Sequence, residues 1–249
     1  MNKESKQLVS IILPVYNEIK TINTLFTQVL QYTNNYFNFE IIIVESNSVD
    51  GTKEYFLNLD INKKVMKFKK NINIVYQNQP KGKGNAVREG LAKACGDIIL
   101  IQDADLEYNI NSYDVLLNQF VIATDLELVI GKRSAMRKFG NLGIRSFYMN
   151  LGHHFFHSLF RIIYQVDIQD PTTMFKIFKK ESIKELSLES NRFDFDWELI
   201  CKLCRKKVSY KEIEVPYKSR GFEEGKKVGM FIDPLVWLYK IIKYRIVKI

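Results

Sequence analysis

The stretch LIQDADLEY, residues 100–108, places Asp103, Asp105 and Glu107 at alternate positions directly after an apolar run. On an extended strand end, alternate side chains point the same way. Carboxylates gathered like this repel and raise one another's pKa, so the grouping has a use if a cation relieves it. Their oxygens are hard ligands suited to Mg2+ or Mn2+, and an ion held there could bridge to a diphosphate. The plain alternative is a solvated acidic turn. Twenty residues upstream, PKGKGN puts Gly82 and Gly84 at the start of a helix, with Lys81 and Lys83 beside them. Free backbone N–H groups at such a start favour an anion, and the lysines add charge. The Walker spacing GxxxxGK[ST] is absent, and no GxGxxG follows the first apolar run, which argues against a nicotinamide dinucleotide.

These residues need elements to position them. LVSIILPVY, FEIIIVES, NINIVYQ, DIILIQ and LELVIG are β-branched apolar runs and read as buried strands. Between the first two, EIKTINTLFTQVLQY carries Ile19, Ile22, Leu25, Phe26, Val29 and Leu30 at helical spacing. SVDGTKEYFLNL reads as a turn into a helix with Ser48 or Asp50 as cap, and GKGNAVREGLAKAC as a further helix. Strand–helix alternation predicts an α/β fold: a mostly parallel, Rossmann-like sheet with helices on both faces. Such sheets bind ligands beyond the carboxyl ends of their strands. PVYNE, ESNSVDGT, QPKGKGN and QDADLEY all fall there.

The 249 residues are 46% hydrophobic, enough for one large domain with a proper core. No run is apolar and long enough to span a membrane, the polar start MNKESKQLVS predicts no secretory leader, and three cysteines fit a reducing compartment. The formal charge of +9 is uneven: residues 1–130 carry 13 basic and 15 acidic side chains, residues 131–249 carry 24 and 13. Gly131 to Val166 holds no acid at all. A basic excess of this kind is a solvated surface, a nucleic-acid footprint or a match for an anionic membrane.

ILPVYNE, EIIIVESNSVDGT and PKGKGNAVREGLAKACGDIILIQDADLEY together resemble the nucleotide-sugar domain of inverting GT-A glycosyltransferases of family 2. The nearest branch is that of dolichol-phosphate mannose synthases and bacterial polyprenyl-phosphate sugar transferases. The resemblance continues through IGKRS, QDPTTMFKIFKKE, FDFDWELICKL and EVPYKSRGFEEGKKV, over roughly residues 8–230. It implies one GT-A domain, with a nucleotide-sugar half (1–130) and an acceptor half (131–249). Pro14, Tyr16 and Glu18 would contact the nucleotide, and Val44 and Ser46 would line the base and ribose pocket. Lys83 would meet the donor. Asp103 and Asp105 match the metal-binding DxD, with Ala104 against the nucleotide and Glu107 as third metal position. Asp105, Arg133 and Arg220 would be catalytic, with Lys226 beside Arg220 in a basic loop over the phosphates. Arg133 and Arg145 would hold an acceptor phosphate, and Asp170 matches the DxTxxF segment. The family usually has two aspartates where this chain has Glu45-Ser46, which leaves the nucleotide base open, and Lys176 stands where arginine is common.

The expected reaction is metal-dependent transfer of a hexose from a nucleoside-diphosphate sugar, GDP-mannose or UDP-glucose in type, to a polyprenyl phosphate. A metal with Lys and Arg would stabilise charge on the leaving diphosphate, at an oxocarbenium-like sugar carbon. A hydroxyl acceptor would need a carboxylate base, for which Asp194, Asp196 and Glu198 in DFDWE are available. A lipid phosphate is already ionised and needs arginines instead. The rivals are transfer to a sugar hydroxyl, a nucleotidyltransferase, a non-catalytic scaffold and a nucleotide- or nucleic-acid-binding protein. The last has no use for three carboxylates at a sheet's ligand edge, so no nucleic-acid partner is expected. DPLVWLYKIIKYRIVKI predicts a helix with Asp233 as cap and Pro234 at its first position, too short to span. Its Trp237, Tyr239, Tyr244, Lys240, Lys243, Arg245 and Lys248 suit an interfacial helix, hence peripheral attachment to the cytoplasmic face of a membrane. A core helix is the alternative. His153 and His157 are at metal-sharing spacing without a third ligand nearby, and Cys201-Cys204 is a lone CxxC. Neither predicts a site.

Overall fold

The apolar runs form the strands they predict, and the pattern of their pairing sets where a ligand can sit. In the computed structural model, which describes residues 6–134, 144–218 and 232–247, the strands are β1 (Gln7–Val15), β2 (Phe37–Glu45), β3 (Asn71–Tyr76), β4 (Ile98–Ile101), β5 (Leu128–Arg133), β6 (Lys176–Lys179) and β7 (Tyr210–Val215). They make one sheet in the order β3-β2-β1-β4-β6-β5-β7. Only β6 runs antiparallel to its neighbours β4 and β5. The chain adds β2 and β3 on one side of β1, then returns to lay β4 on the other. That reversal opens a crevice beyond the ends of β1 and β4, between PVYNE and QDADLEY. The sheet runs through the change in charge, since β5 spans residues 130 and 131.

The helices are α1 (Ile19–Gln31), α2 (Thr52–Leu57), α3 (Ile61–Phe68), α4 (Lys83–Lys93), α5 (Ser112–Ile122), α6 (Ile144–Tyr164), α7 (Phe195–Arg205) and α8 (Ile232–Ile246). The helical stripe of α1 buries Ile22, Leu25, Phe26, Val29 and Leu30 against the sheet; Ile19 alone of the expected set stays 38% exposed. The sheet contributes Val9, Ile11–Leu13, Ile41–Val44, Ile98–Ile101 and Leu128–Ile130 to the core, all 2% exposed or less. Neither proposed cap tops α2: its cap is Gly51, at φ +98°. Asp50 accepts from the amides of Thr52 and Ile19, and Ser48 accepts from Asn17 N–H.

α8 corrects the picture of a wholly interfacial tail. One stripe, Trp237, Ile241 and Tyr244, packs against α6 and α7, with Ile241 and Tyr244 buried. Tyr164 donates to the Ile241 carbonyl at 2.9 Å. The other stripe, Leu235, Tyr239, Ile242 and Ile246, is spaced i, i+4, i+7, i+11 and stays 44–75% exposed. The helix is core on one side and apolar surface on the other.

The carboxyl end of α1 is closed by a buried cation. Lys70 directs Nζ at the carbonyls of Val29 and Leu30, each at 2.8 Å, and at that of Tyr32. These are carbonyls the helix itself leaves unpaired, and a cation there also meets the negative end of the helix dipole. Lys70→Met keeps the side chain's length and removes the donors. It is expected to lower unfolding stability by about 2–3 kcal/mol, read as a shift in urea midpoint at unchanged slope; an unshifted midpoint would show that water serves those carbonyls equally well.

Candidate active site

The loops after β1 and β2 are tied into one unit. Asn17 N–H donates to Ser48 Oγ, Val49 N–H to Asn17 Oδ1, Glu18 N–H to Thr52 Oγ1 and Ile19 N–H to Asp50, all at 2.9–3.1 Å. Asn17 and Asn47 take left-handed backbone to turn these corners. Pro14 pairs with Val44 across the strands, and Ser46 N–H donates to the Val15 carbonyl. This register brings Pro14, Tyr16, Glu18, Val44 and Ser46 to one edge of the sheet. Glu45 is fully buried and turns its carboxylate to the amides of Asn47 and Ser48. It builds this loop, while Val44 and Ser46 are themselves buried beneath it.

The acidic loop differs from the expectation of three carboxylates alternating on a strand end. β4 stops at Ile101, residues 104–105 are a turn and Leu106 is left-handed at φ +60°. The turn breaks the alternation. Asp105 accepts from Glu107 N–H, and Glu107 takes the Tyr217 hydroxyl at 2.7 Å. Among the described residues no three acidic, histidine or cysteine side chains converge as a metal cluster. Asp103 and Asp105 remain close enough to act on one another: burial, Asp105 and Asp196 push the Asp103 carboxyl up to about 7 against the pull of Lys83. This pair fits a magnesium-like ion, which uses one or two protein carboxylates and completes its octahedron with phosphate and water. The loop is fixed from below by Thr21, which donates to the Ala104 carbonyl at 2.6 Å, and by Gln102, which donates to the Asp103 carbonyl.

Lys83 enters this site from α4, but its glycines serve packing. A Cβ at Gly84 would lie 2.5 Å from the Ser190 carbonyl oxygen, and one at Gly82 2.4 Å from that of Asn191. Asn85 N–H donates to the same Asn191 carbonyl. The expected anion cradle at this helix start is therefore partly filled by the 190–192 loop, and the glycines let that loop approach. Lys83 Nζ lies 3.2 Å from Asp103 and 3.4 Å from Asp196; Lys176 lies 3.5 Å from the other oxygen of Asp196. Burial works against the Lys83 ammonium, yet the two carboxylates hold its pKa above the ordinary lysine value. Burial opposes the Asp196 charge as well, and the two lysines override it, leaving the pKa below normal.

The other two acids of DFDWE are also engaged. Asp194 pairs with Lys240 of α8 at 3.1 Å and accepts from Arg192 N–H. Glu198, fully buried, accepts from the amides of Glu189 and Ser190 and pairs with Lys202.

Arg133 ends β5 and meets Asp170 in a fork: Nε at 2.7 Å to one carboxylate oxygen and Nη2 at 2.7 Å to the other, with the Arg133 amide adding a third bond. Burial alone would raise the Asp170 pKa; Arg133 reverses that and holds it at about 2. Nη2 also reaches Thr172 Oγ1, the guanidinium lies 5.3 Å from the centre of the Tyr217 ring, and Nη1 has no partner among the described residues. Tyr217 thus links the arginine to the acidic loop, an arrangement reinforced by its bridge to Tyr108 and by Lys218 N–H donating to the Glu107 carbonyl. Sequence reasoning assigned nothing to Tyr217, Thr172 or Tyr108. EVPYK and QDPTT carried them in view, but no spacing rule joins two tyrosines over a hundred positions apart.

The structure brings together Asp103, Ala104, Asp105, Lys83 and, across the sheet, Arg133 and Asp170. Arg220 and Lys226 lie outside the described residues, as do the side chains of Arg145, Asp233 and His153. His157 is buried and bonded within the fold. Cys201 and Cys204 are free thiols, and burial raises the pKa of both, Cys204 to about 12.

Comparison with known proteins agrees with this geometry. The family model described as glycosyl transferase family 2 matches residues 10–187. The dolichyl-phosphate beta-glucosyltransferase of Saccharomyces cerevisiae is 26% identical over 239 residues, covering 91% of this chain and 70% of its own. The human protein of that name is 28% identical over 246 residues, covering 91% and 71%. The dolichol-phosphate mannosyltransferase of Pyrococcus furiosus is 28% identical over 251 residues, covering 96% and 66%. Among solved structures, glucosyl-3-phosphoglycerate synthase from Mycobacterium tuberculosis, in complex with Mn2+, uridine diphosphate and phosphoglyceric acid, superposes with a TM-score of 0.67 at 15% identity, over 98% of this chain and 80% of that one. The sheet order, the acidic loop at its reversal and these likenesses lead to one assignment: the chain belongs to glycosyl transferase family 2 and is a glycosyltransferase with the GT-A fold.

Proposed function

We propose that this glycosyltransferase moves a hexose from a nucleoside-diphosphate sugar to the phosphate of a polyprenyl phosphate. The observation that carries this reading is the state of the three carboxylates a hydroxyl acceptor would need as base. Asp196 is clamped between two lysines, Asp194 by Lys240, and Glu198 by Lys202 and two amides. Asp196 and Glu198 have pKa values held below normal, which makes each a poor proton acceptor. A phosphate brings its own ionised oxygen, and the Nη1 edge of Arg133, without a partner among the described residues, is suited to hold it. The named relatives support a dolichyl-phosphate acceptor and favour a glucosyl donor over a mannosyl one; UDP-glucose is the donor to test first, with GDP-mannose second.

In the reaction, the acceptor phosphate oxygen attacks the anomeric carbon as the bond to the donor's β-phosphate breaks, and configuration inverts. Lys83 faces the leaving diphosphate. Arg133, braced by Asp170 and Tyr217, orients the attacking phosphate. Mg2+ or Mn2+ on Asp103 and Asp105, with Glu107 as a possible third donor if Tyr217 releases it, would neutralise charge on the leaving group. The cluster of Lys83, Lys176, Asp103, Asp105 and Asp196 has a formal charge of −1, so a divalent ion would turn it to +1 and make it attractive to a diphosphate. Arg220 and Lys226, outside the described residues, belong to the same reading as basic side chains for the donor phosphates.

Attachment to the cytoplasmic leaflet is also part of the proposal. No described helix is long and apolar enough to cross a membrane. The exposed stripe Leu235, Tyr239, Ile242 and Ile246 on α8 and the exposed Phe155 and Ile162 on α6 would enter the headgroup region, with Lys and Arg drawn to anionic lipid.

The acceptor reading is tested with two lipids of equal chain length. A polyprenyl phosphate should support release of nucleoside diphosphate and yield a glycosylated lipid, whereas the corresponding polyprenol should yield none. Product from the alcohol would overturn the phosphate reading and restore DFDWE as a source of base. For the metal, Asp105→Asn should weaken Mn2+ binding by calorimetry and cut transfer by about 10²–10³-fold, the scale of losing one electrostatic stabiliser. Relief of repulsion on Asp103 should leave its thermal midpoint equal to or above that of the parent; full activity with unchanged Mn2+ affinity would reject this ion site. For the membrane, Leu235→Glu with Ile242→Glu should abolish co-sedimentation with anionic vesicles and leave the thermal midpoint within a degree or two, since both positions are exposed. Undiminished sedimentation would move the contact elsewhere.

A further inference from the structure

His157 was set aside as a metal ligand, and the structure gives it different surroundings. It sits on α6, buried, with its ring edge-on to Trp197 at 6.1 Å. Nδ1 lies 3.0 Å from the Gln169 carbonyl oxygen and Nε2 3.1 Å from Thr172 Oγ1. These two residues flank Asp170, the partner of Arg133. The same loop is held from β7, where Glu212 accepts from the amides of Gln169 and Asp170.

Chemistry fixes the direction of every bond in this chain. A carbonyl only accepts, so Nδ1 carries the proton. Burial lowers the imidazole pKa to about 4, with Arg133 and His154 also lowering it and Asp170 opposing, so the ring is neutral near pH 7 and Nε2 accepts. Thr172 therefore donates its hydroxyl hydrogen to Nε2. Its oxygen then faces Arg133 with lone pairs, and Nη2 donates to it at 3.0 Å. The order runs from Arg133 through Thr172 and His157 to the Gln169 carbonyl, and no member can be reversed without breaking another.

We propose that His157 is a positioning residue that sets the guanidinium of Arg133 through Thr172, and so keys α6 to the site that receives the acceptor phosphate. Asp170 fixes two edges of the guanidinium in the fork's plane but leaves it free to tilt about the line of those two bonds. Thr172 adds a third point, and it can serve only while its hydrogen is directed away from Arg133. The histidine ring sees to that. The inference rests on the reading that Arg133 holds the acceptor phosphate.

The test is a double-mutant cycle read in turnover and in unfolding. His157→Asn keeps a donor near the Gln169 carbonyl and removes the Nε2 acceptor, while Thr172→Val removes the hydroxyl at equal size. Each should raise the KM for a short-chain polyprenyl phosphate by about tenfold, the scale of one hydrogen bond to a charged group, with kcat and the dissociation constant for the nucleoside diphosphate close to parent values. The double variant should be no worse than the weaker single one, and Thr172→Ser should restore the parent KM. Multiplicative losses in the double variant overturn the proposal, as does coupling seen in unfolding with no change in acceptor KM, which would make His157 a structural residue alone. Arg133→Lys separates the underlying reading: if it leaves the acceptor KM unchanged, Arg133 does not hold the acceptor, and the His157 assignment falls with that reading and not through its own geometry.

Discussion

Lys83 stands between two carboxylates that come from opposite halves of the chain, and most of the site's geometry follows from satisfying them. Asp103 arrives from the end of β4 and Asp196 from the first turn of α7. Lys176 closes the far side of Asp196 from the start of β6. Leaving one member of such a buried set without its partner costs about 3–5 kcal/mol, so β4, α4, β6 and α7 must meet at one register. The glycines of α4 allow that meeting, because Gly82 and Gly84 admit the 190–192 loop at distances no Cβ would tolerate. The cluster is thus a folding constraint and, in the proposed function, the electrostatic floor of a diphosphate site, where the added charge of Asp105 tips the formal balance to −1 and favours a cation.

Around that floor the protein uses pairs whose members sit on different loops. Arg133 and Asp170 bind as a two-pronged fork, Tyr217 joins the arginine to Glu107, and Asn17, Asp50 and Thr52 lace the first two loops together. Each loop is held by another loop as well as by its own strand. Positions that must stay within fractions of an ångström for group transfer are therefore fixed by cross-ties, and the left-handed residues Asn17, Asn47 and Leu106 mark where the backbone bends to make them.

β1, β2, β4 and β5 were legible because they are largely buried and mostly apolar, whereas β7, parallel to β5 but reading YKEIEV, gave no such signal. β6 was not: Lys176–Lys179 is four residues with a lysine at each end, and only its place between β4 and β5 makes it a strand. α3 was missed for a related reason, since Ile61–Phe68 carries three lysines and is marked chiefly by the Asp60 cap. The geometry of the acidic triad was misread. A period of two holds only while the backbone stays extended, and the turn at residues 104–105 ends it. Reading Gly82 and Gly84 as an anion cradle overlooked the 190–192 loop, because sequence shows that a glycine is needed without showing what approaches it. The aromatic and basic tail was legible as amphipathic, yet it has two apolar stripes, and a residue count cannot tell which of them faces the core.

Asp194 and Asp196 lie two residues apart at the start of α7, and they answer to different masters: Asp194 to Lys240 on the terminal helix, Asp196 to Lys83 in the nucleotide half. One turn of helix is all that separates the contact with α8 from the Lys83 cluster, the proposed donor site. Binding equilibria at two ends of so short a connection obey reciprocity: any factor by which seating α8 on a surface alters donor affinity is the factor by which a bound donor alters the seating. Were α8 to seat on a bilayer and the two equilibria to be coupled, the fraction of enzyme on the membrane would shift with the nucleotide-sugar concentration around it.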